Sequence, residues 1–220
     1  FGAQFIMDQC VREGFSSYCA QYTRNPDGSI KDLLSVGINA GKQTVEGYDV
    51  TLNYRVELGD FGMLSFNWDT TYMANNESDN DLDGDIDADD GGSIVGLYQD
   101  RNNNWEYRSN LMTTWTMGDI GATWSTRFYS GQTEDCSDMV YYGWGELCSD
   151  EANEENYMGA TTYHDLSFFY STPWKGKVTL GLNNAFAKDP PVSYSTFANS
   201  FDPQYEVPGR FWYMRYEQKF

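Results

Sequence analysis

The stretch YDVTLNYRVELGDFGMLSFNWDTTY, residues 48–72, alternates between apolar and polar side chains on both sides of the short segment GDFG. Its first run places these apolar side chains on one face: Tyr48, Val50, Leu52, Tyr54, Val56 and Leu58. Successive side chains of a β-strand point to opposite faces, so each run predicts an extended strand. The sequence therefore predicts an antiparallel hairpin with a tight turn at residues 59–62.

The same alternation recurs in five further runs, so seven strands are predicted in all. The five runs cover residues 105–117, 120–128, 165–170, 178–186 and 212–220. Most of the seven runs exceed the length of an ordinary globular strand, which is about 5 or 6 residues. The pattern predicts an all-β chain with unusually long strands.

The connections between these strands alternate in length. Residues 59–62, 117–119 and 173–177 are tight turns, whereas residues 76–104, 131–161 and 187–209 are long. Short connections at one end and long ones at the other are typical of an up-and-down meander.

A β-sandwich and an outer-membrane β-barrel both show such alternation. Here the polar faces consist of Thr, Ser, Asn and Gly with few charges, and the aromatic residues gather toward strand ends, which favours the barrel. The apolar faces would then meet lipid and the polar faces a wet interior. The charged members of the interior set would form ion pairs or line a solute path: Asp49, Arg55, Asp69, Arg108, Arg127, Asp165 and Arg215.

Closure of the sheet sets the expected domain organisation. Backbone N–H groups in lipid all need partners, and single-chain bacterial barrels have an even number of strands, so seven strands form part of a larger barrel. We expect residues 1–43 to be an extracellular loop and the start of a descending strand. Residues 44–220 would be the C-terminal transmembrane strands, with extracellular loops at 76–104, 131–161 and 187–209.

Charge and cysteine content limit the possible binding partners and the cellular compartment of the protein. The 220 residues carry a net charge of −19 with only 14 Lys and Arg, which excludes a nucleic-acid partner because phosphate binding needs clustered cations. The four cysteines lie in two close pairs, Cys10/Cys19 and Cys136/Cys148, with no histidine nearby. Two disulfides in an oxidising compartment are predicted, but sequence leaves the three possible pairings open.

The segment DNDLDGDIDADD, residues 79–90, has the oxygen spacing of a calcium loop. These aspartates fall at alternate positions and at position 12: Asp79, Asp81, Asp83, Asp85, Asp87 and Asp90. Gly84 permits the sharp turn that such a loop needs, although Asp90 is shorter than the usual bidentate Glu. The sequence predicts a weak calcium site with a solvated acidic loop as the alternative, and Ca²⁺ is the one cofactor it suggests.

Few other residues are candidates for ligand binding or catalysis. Tyr141, Tyr142 and Trp144 lie between two cysteines and are candidates for stacking on a sugar or planar ligand, or for loop packing. His164 is the single histidine and no Ser or Cys nucleophile neighbours it in a recognisable motif, so an enzyme is not expected.

Three segments carry a family resemblance. NNAFAKDPP (183–191) resembles the penultimate strand and exit of TonB-dependent outer-membrane receptors, which often read Asn-x-Phe-Asp-Lys-Asp-Pro-Pro; Ala187 replaces the usual Asp. YEVPGRFWYMRYEQKF (205–220) resembles the closing strand of that family, and NAGKQTVEGYDVTLNYRV (39–56) resembles a further family segment. These segments occur in the family's order and spacing.

The resemblance implies a transmembrane antiparallel β-barrel of 22 strands, of which this chain would hold the last seven, with the plug domain elsewhere. It implies energy-coupled import of a scarce solute of the siderophore, cobalamin or oligosaccharide class across the outer membrane of a Gram-negative bacterium. Expected partners are lipid and lipopolysaccharide, the TonB complex through the plug, and the barrel-assembly machinery. The signal for that machinery would be Trp212, Met214, Tyr216 and Phe220. A passive porin or small closed barrel, with an eighth strand in residues 1–43, is the alternative.

Overall fold

A computed structural model describes residues 3–35, 42–79, 92–99, 102–194 and 202–219. Contacts divide the chain into two compact units, Phe1–Gln43 with Glu77–Gly92, and Thr44–Asn76 with Ser93–Phe220. The described chain is mostly β, with antiparallel sheets and few helices. No helix that the structure describes combines the length and apolarity needed to cross a bilayer.

The first unit begins with two helices and a small hairpin. Helices α1 (Ala3–Val11) and α2 (Ser16–Cys19) are joined by the Cys10–Cys19 disulfide, and strands β1 (Tyr22–Arg24) and β2 (Ile30–Leu33) pair antiparallel. Ile6 and Tyr18 are buried in this unit. The segment Asn-Pro-Asp-Gly at residues 25–28 forms the turn between β1 and β2, as its composition favours. The two helices were not predicted, because their short apolar stretches give no sustained helical period.

The remaining elements belong mainly to the second unit. The strands are β3 (Lys42–Glu57), β4 (Met63–Asp79), β5 (Leu97–Gln99), β6 (Asn102–Asn103), β7 (Tyr107–Met117), β8 (Ile120–Tyr129), β9 (Gln132–Asp135), β10 (Glu155–Met158), β11 (Thr161–Ser171), β12 (Gly176–Asn183) and β13 (Phe211–Gln218). Helix α3 covers Ser137–Tyr141, and 3₁₀ turns lie at Gly59–Phe61 and Gly145–Leu147.

Seven of these strands form one sheet in the order β13-β12-β11-β8-β7-β4-β3. Each overlaps one of the seven predicted runs, and neighbours in the sheet follow the order of the chain. Tight turns join β3 to β4, β7 to β8 and β11 to β12, so the three long connections all leave the opposite end, called here the long-loop end. Strand β12 stops at Asn183 rather than at the predicted Phe186, because Asn184 and Ala187 both adopt positive φ and turn the chain away.

A second, four-stranded sheet is built from the long connections alone. Its order is β10-β9-β5-β6, and the β5–β9 pair is parallel. We call it the rim sheet. Its strands are only two to four residues long, which is too short for alternation to be recognised in sequence.

The seven-stranded sheet has one uncovered apolar face. This apolar face includes Leu52, Trp124 and Trp212, which are 50%, 51% and 70% exposed. Burial is concentrated instead beside the rim sheet, where Tyr98, Met158, Tyr163 and Tyr205 form a cluster with Trp105 and Tyr129 packed against it. Within the described residues, the sheet therefore lacks the covering layer that a water-soluble sheet requires.

Aromatic rings cover two glycines on the polar face of the sheet. The ring of Tyr213 lies against Gly181, its direct partner across β12 and β13, and the ring of Phe169 lies against Gly121 across β8 and β11. Lys177 Nζ lies 4.1 Å from the centre of the Phe169 ring. Because a side chain at either glycine would collide with a ring, these pairs help to define the register.

We expect Gly181→Val to lower the free energy of unfolding by about 1–3 kcal/mol, because the new side chain occupies the space of the Tyr213 ring. Thermal unfolding followed by circular dichroism measures the effect. Gly159→Val is the matched control, since a Cβ at that position meets nothing within 4 Å. Equal losses in the two variants would contradict the assigned role of the ring.

Candidate functional site

The apolar face is continuous from strand to strand because the pairing register aligns its side chains in rows. One row crosses six strands through Leu64, Trp115, Ala122, Phe168, Leu180 and Met214. The adjacent row runs through Phe66, Thr113, Trp124, Leu166, Leu182 and Trp212. None of these side chains is buried. The result is a broad aromatic and aliphatic surface of the kind that marks an interaction site.

Three indole N–H groups on this face have partners within the protein. Trp68 donates to Ser109 Oγ at 2.7 Å, Trp115 to the carbonyl of Phe61 at 2.8 Å, and Trp124 to His164 Nδ1 at 3.1 Å. A satisfied indole can enter an apolar medium without losing a hydrogen bond to water. These three indoles can therefore be transferred out of water at little polar cost.

The proposed assembly signal lies on the same face. Trp212, Met214 and Tyr216 are exposed side chains of β13, whereas Phe220 lies outside the described residues. Their role in assembly stays a prediction.

The opposite, polar face gathers the predicted interior set. Asp49, Asp69, Arg108 and Arg127 line one open groove of about 470 Å³. Arg127 Nη2 contacts carboxylate oxygens of Asp165 and Glu206, each at 2.9 Å. The predicted pairing is thus present at Arg127.

At Asp49 and Asp69, no ion pair with another described residue forms. Asp49 accepts from the Thr71 hydroxyl at 2.6 Å and Asp69 accepts from the Thr51 hydroxyl at 2.8 Å. The physical reason is reach, because a threonine on the neighbouring strand approaches the short aspartate side chain directly.

The buried carboxylate of Glu134 forms hydrogen bonds that link two of the three long connections. Glu134 of β9 is fully buried and accepts from Ser193 Oγ at 2.7 Å, the Tyr194 amide at 2.9 Å and Asn156 Nδ2 at 2.8 Å. Asn156 also donates to the carbonyl of Val192 at 3.2 Å. Segment 192–194 is therefore held against the rim sheet by hydrogen bonds to a charged group, which are among the stronger ones in proteins.

A second buried carboxylate, that of Asp202, binds the remaining long connection, which contains Tyr98. Asp202 accepts from the Tyr98 hydroxyl at 2.8 Å and from the Gln204 amide at 2.7 Å. Nearby, Tyr205 accepts from the Trp105 indole at 3.0 Å, and burial raises the pKa of its hydroxyl. All three long connections are thus bound together at the long-loop end.

The cysteine-bounded segment forms an ordered projection. Cys136 and Cys148 form the second disulfide, so the structure resolves both pairings that sequence left open. Tyr141, Tyr142 and Trp144 lie on this segment with exposed rings. Beside it, the Ser137 amide donates to Asp135 and holds the pKa of that carboxyl below its usual value.

The candidate calcium ligands from Asp81 to Asp90 lie outside the described residues, and the side chain of Asp79 is not described either. No three His, Cys, Asp or Glu side chains in the described ranges lie together as a metal site would require. The calcium site stays a prediction.

No protein-family model matches the sequence, and no curated protein matches it. Among solved structures, the chain is similar to the siderophore receptor PiuA from Acinetobacter baumannii, with 14% sequence identity and a TM-score of 0.44. The similarity covers 86% of this chain and 23% of that chain, so this chain spans less than a quarter of that receptor.

Sequence reasoning missed the Glu134 and Asp202 networks. Glu134 lies in an acidic, polar segment, where a solvated carboxylate is the usual outcome, and a lone Asp such as Asp202 is also usually exposed. Their partners Ser193, Tyr194 and Tyr98 are distant in sequence, and no local sequence pattern predicts the contacts.

We expect Glu134→Gln to loosen segment 192–194, because an amide NH₂ would replace an acceptor that faces several donors. The loss should be about 1–3 kcal/mol of local stability. Hydrogen exchange of the Tyr194 amide measures it, with faster exchange expected in the variant. Glu146→Gln, at an exposed position of the same connection, is the control; unchanged exchange in Glu134→Gln would contradict the assigned role.

Proposed function

We propose that this chain is the C-terminal part of the transmembrane β-barrel of a TonB-dependent outer-membrane receptor. The protein would import a scarce solute of the siderophore, cobalamin or oligosaccharide class. The supporting observation is the uncovered apolar face of the seven-stranded sheet, which lies back to back with a polar, charged face.

Hydrocarbon accounts for the apolar face better than water does. Burying a side chain such as Leu166 or Phe168 is worth about 1.5–3 kcal/mol relative to full exposure, and the two rows contain a dozen positions. A lipid bilayer covers such a face without any specific partner protein. In this arrangement the polar face, with Asp49, Asp69 and Arg127, encloses a wet interior, as in the barrels of this class.

The direction of the sheet follows from its loops. Long connections face the exterior and short turns face the periplasm in outer-membrane barrels. We therefore place the rim sheet and the cysteine-bounded segment outside the cell, where lipopolysaccharide is the neighbouring lipid and disulfides persist.

The import function is supported by the three motif resemblances rather than by the site geometry. On this proposal the plug domain provides the contact with the TonB complex, and the closing strand β13 is recognised by the barrel-assembly machinery. We propose no enzymatic activity. His164 lies on the apolar face, in contact with Trp124, Thr126 and Phe186, which is a poor position for hydrolytic chemistry.

The alternative is a passive porin or small closed barrel. It needs an eighth spanning strand in residues 1–43. In the described part of that range, strand residues belong to the short β1–β2 hairpin apart from the first residues of β3. This observation favours the larger barrel.

A charge on the apolar face tests the membrane proposal. We expect Leu166→Lys to destabilise the protein in phosphatidylcholine vesicles by about 2–4 kcal/mol, as lysine does at the centre of a bilayer. Urea unfolding of the inserted protein measures the loss. Ser167→Lys, on the polar face, should have little effect, and a stable Leu166→Lys variant would contradict contact with lipid.

Uptake by cells tests the import proposal. We expect cells that carry the full protein to accumulate labelled solute of one class, ferric siderophore, cobalamin or oligosaccharide, and to lose this uptake when TonB is deleted. Uptake that persists without TonB and rises linearly with concentration would instead establish the passive porin.

A further inference from the structure

Three aromatic rings project together from the cysteine-bounded segment. Tyr141, Tyr142 and Trp144 are 81%, 65% and 53% exposed. The rings of Tyr141 and Tyr142 meet edge to face with centroids 5.2 Å apart, and the Tyr142 and Trp144 centroids lie 6.5 Å apart. We call this group the aromatic tip. Exposed rings of this size lose contact with water favourably when a partner covers them.

The backbone beneath the aromatic tip is fixed before any partner arrives. The Cys136–Cys148 disulfide closes the segment, and the Trp144 amide donates to the carbonyl of Met139 at 2.8 Å. From outside the segment, the Tyr194 hydroxyl donates to the carbonyl of Leu147 at 2.7 Å. Because the segment is already ordered, binding would lose little conformational entropy.

The chain segment that carries the aromatic tip has charges of one sign. Residues 132–160 contain eight Asp and Glu and no Lys or Arg. Glu134 is buried, but Asp138 in α3 and Glu146 in the following 3₁₀ turn are exposed. The segment that carries the aromatic rings therefore also exposes carboxylates, and among the described residues no cation forms an ion pair with Asp138 or Glu146.

We propose that the aromatic tip docks a basic polypeptide segment through its arginine side chains. A guanidinium stacks on Tyr and Trp faces and pairs with carboxylates in the same contact, so it matches both features of the surface. A neutral glycan would use the rings and leave the charge unused. Anionic lipopolysaccharide would be repelled.

The negative field would also accelerate the encounter with a cationic partner. The inference rests on the proposed function in one respect: the long-loop end must face the exterior for a soluble protein to reach the aromatic tip.

Binding to the purified full protein in detergent tests the inference without requiring import. The probe is a fluorescent peptide of repeated Arg-Gly units, followed by anisotropy. A Lys-Gly peptide and a neutral maltooligosaccharide serve as comparison ligands. Sodium chloride is raised from about 0.01 M to about 0.15 M, which shortens the Debye length from roughly 30 to roughly 8 Å.

We expect the Arg-Gly peptide to bind more tightly than the Lys-Gly peptide and to weaken as salt rises. Joint replacement Tyr141→Ala, Tyr142→Ala and Trp144→Ala should weaken binding about tenfold or more. Joint replacement Asp138→Asn and Glu146→Gln should reduce the salt dependence. Phe61→Ala, an exposed aromatic at the short-turn end, is the control and should bind as the parent does.

Three results would overturn the inference. The first is no binding of the Arg-Gly peptide at low salt, and the second is peptide binding that the aromatic replacements leave unchanged. The third is binding of the maltooligosaccharide that depends on the rings and is not affected by the charge replacements. The last result would identify a glycan surface. Lost peptide binding with TonB-dependent uptake intact removes this inference alone, whereas peptide binding without uptake removes only the proposed function.

Discussion

Strand periodicity and pairing register together determine both surfaces of the large sheet. A side chain in a strand faces one of two sides, and a shift by one residue would exchange the sides along the whole strand. Here the register aligns Leu64, Trp115, Phe168 and Met214 in one row, while Asp49, Asp69 and Arg127 gather on the other side. The rings over Gly121 and Gly181 oppose such a shift sterically. Exposed indoles with satisfied N–H groups and a charged groove are thus consequences of the same alignment.

The long-loop end is stabilised by different interactions from those of the large sheet. Its strands are short and its segments irregular, so repeated pairing contributes little there. Specific hydrogen bonds to buried carboxylates take its place, with Glu134 holding segment 192–194 and Asp202 holding Tyr98. An aromatic cluster that includes Tyr163 and Tyr205 is buried in the same region. Removing one acceptor would break several hydrogen bonds at once, which makes these two carboxylates the sensitive points of the region.

The large sheet could be predicted from the sequence because alternation is a local signal that seven long runs repeat. The faces of Leu52 and Trp124 followed directly from that period. The rim sheet could not be predicted, since β5, β6, β9 and β10 are too short to show a period. Glu134 was also unpredictable, because its partners Ser193 and Tyr194 lie 59 and 60 residues away. The two close cysteine pairs indicated disulfides, yet only coordinates distinguish among three pairings. Helices α1 and α2 had no sequence signal of sufficient length.

Both disulfides are short-range, with sequence separations of 9 and 12 residues. Each closes a loop within a single local segment, and neither joins two strands of the large sheet. Oxidation can therefore be completed on an unfolded chain before any strand has paired with its neighbour, and it leaves the order of strand pairing unconstrained. A wrongly paired intermediate would keep its covalent links intact while it rearranged. Pairing of the strands in the large sheet and oxidation of the two disulfides can proceed independently.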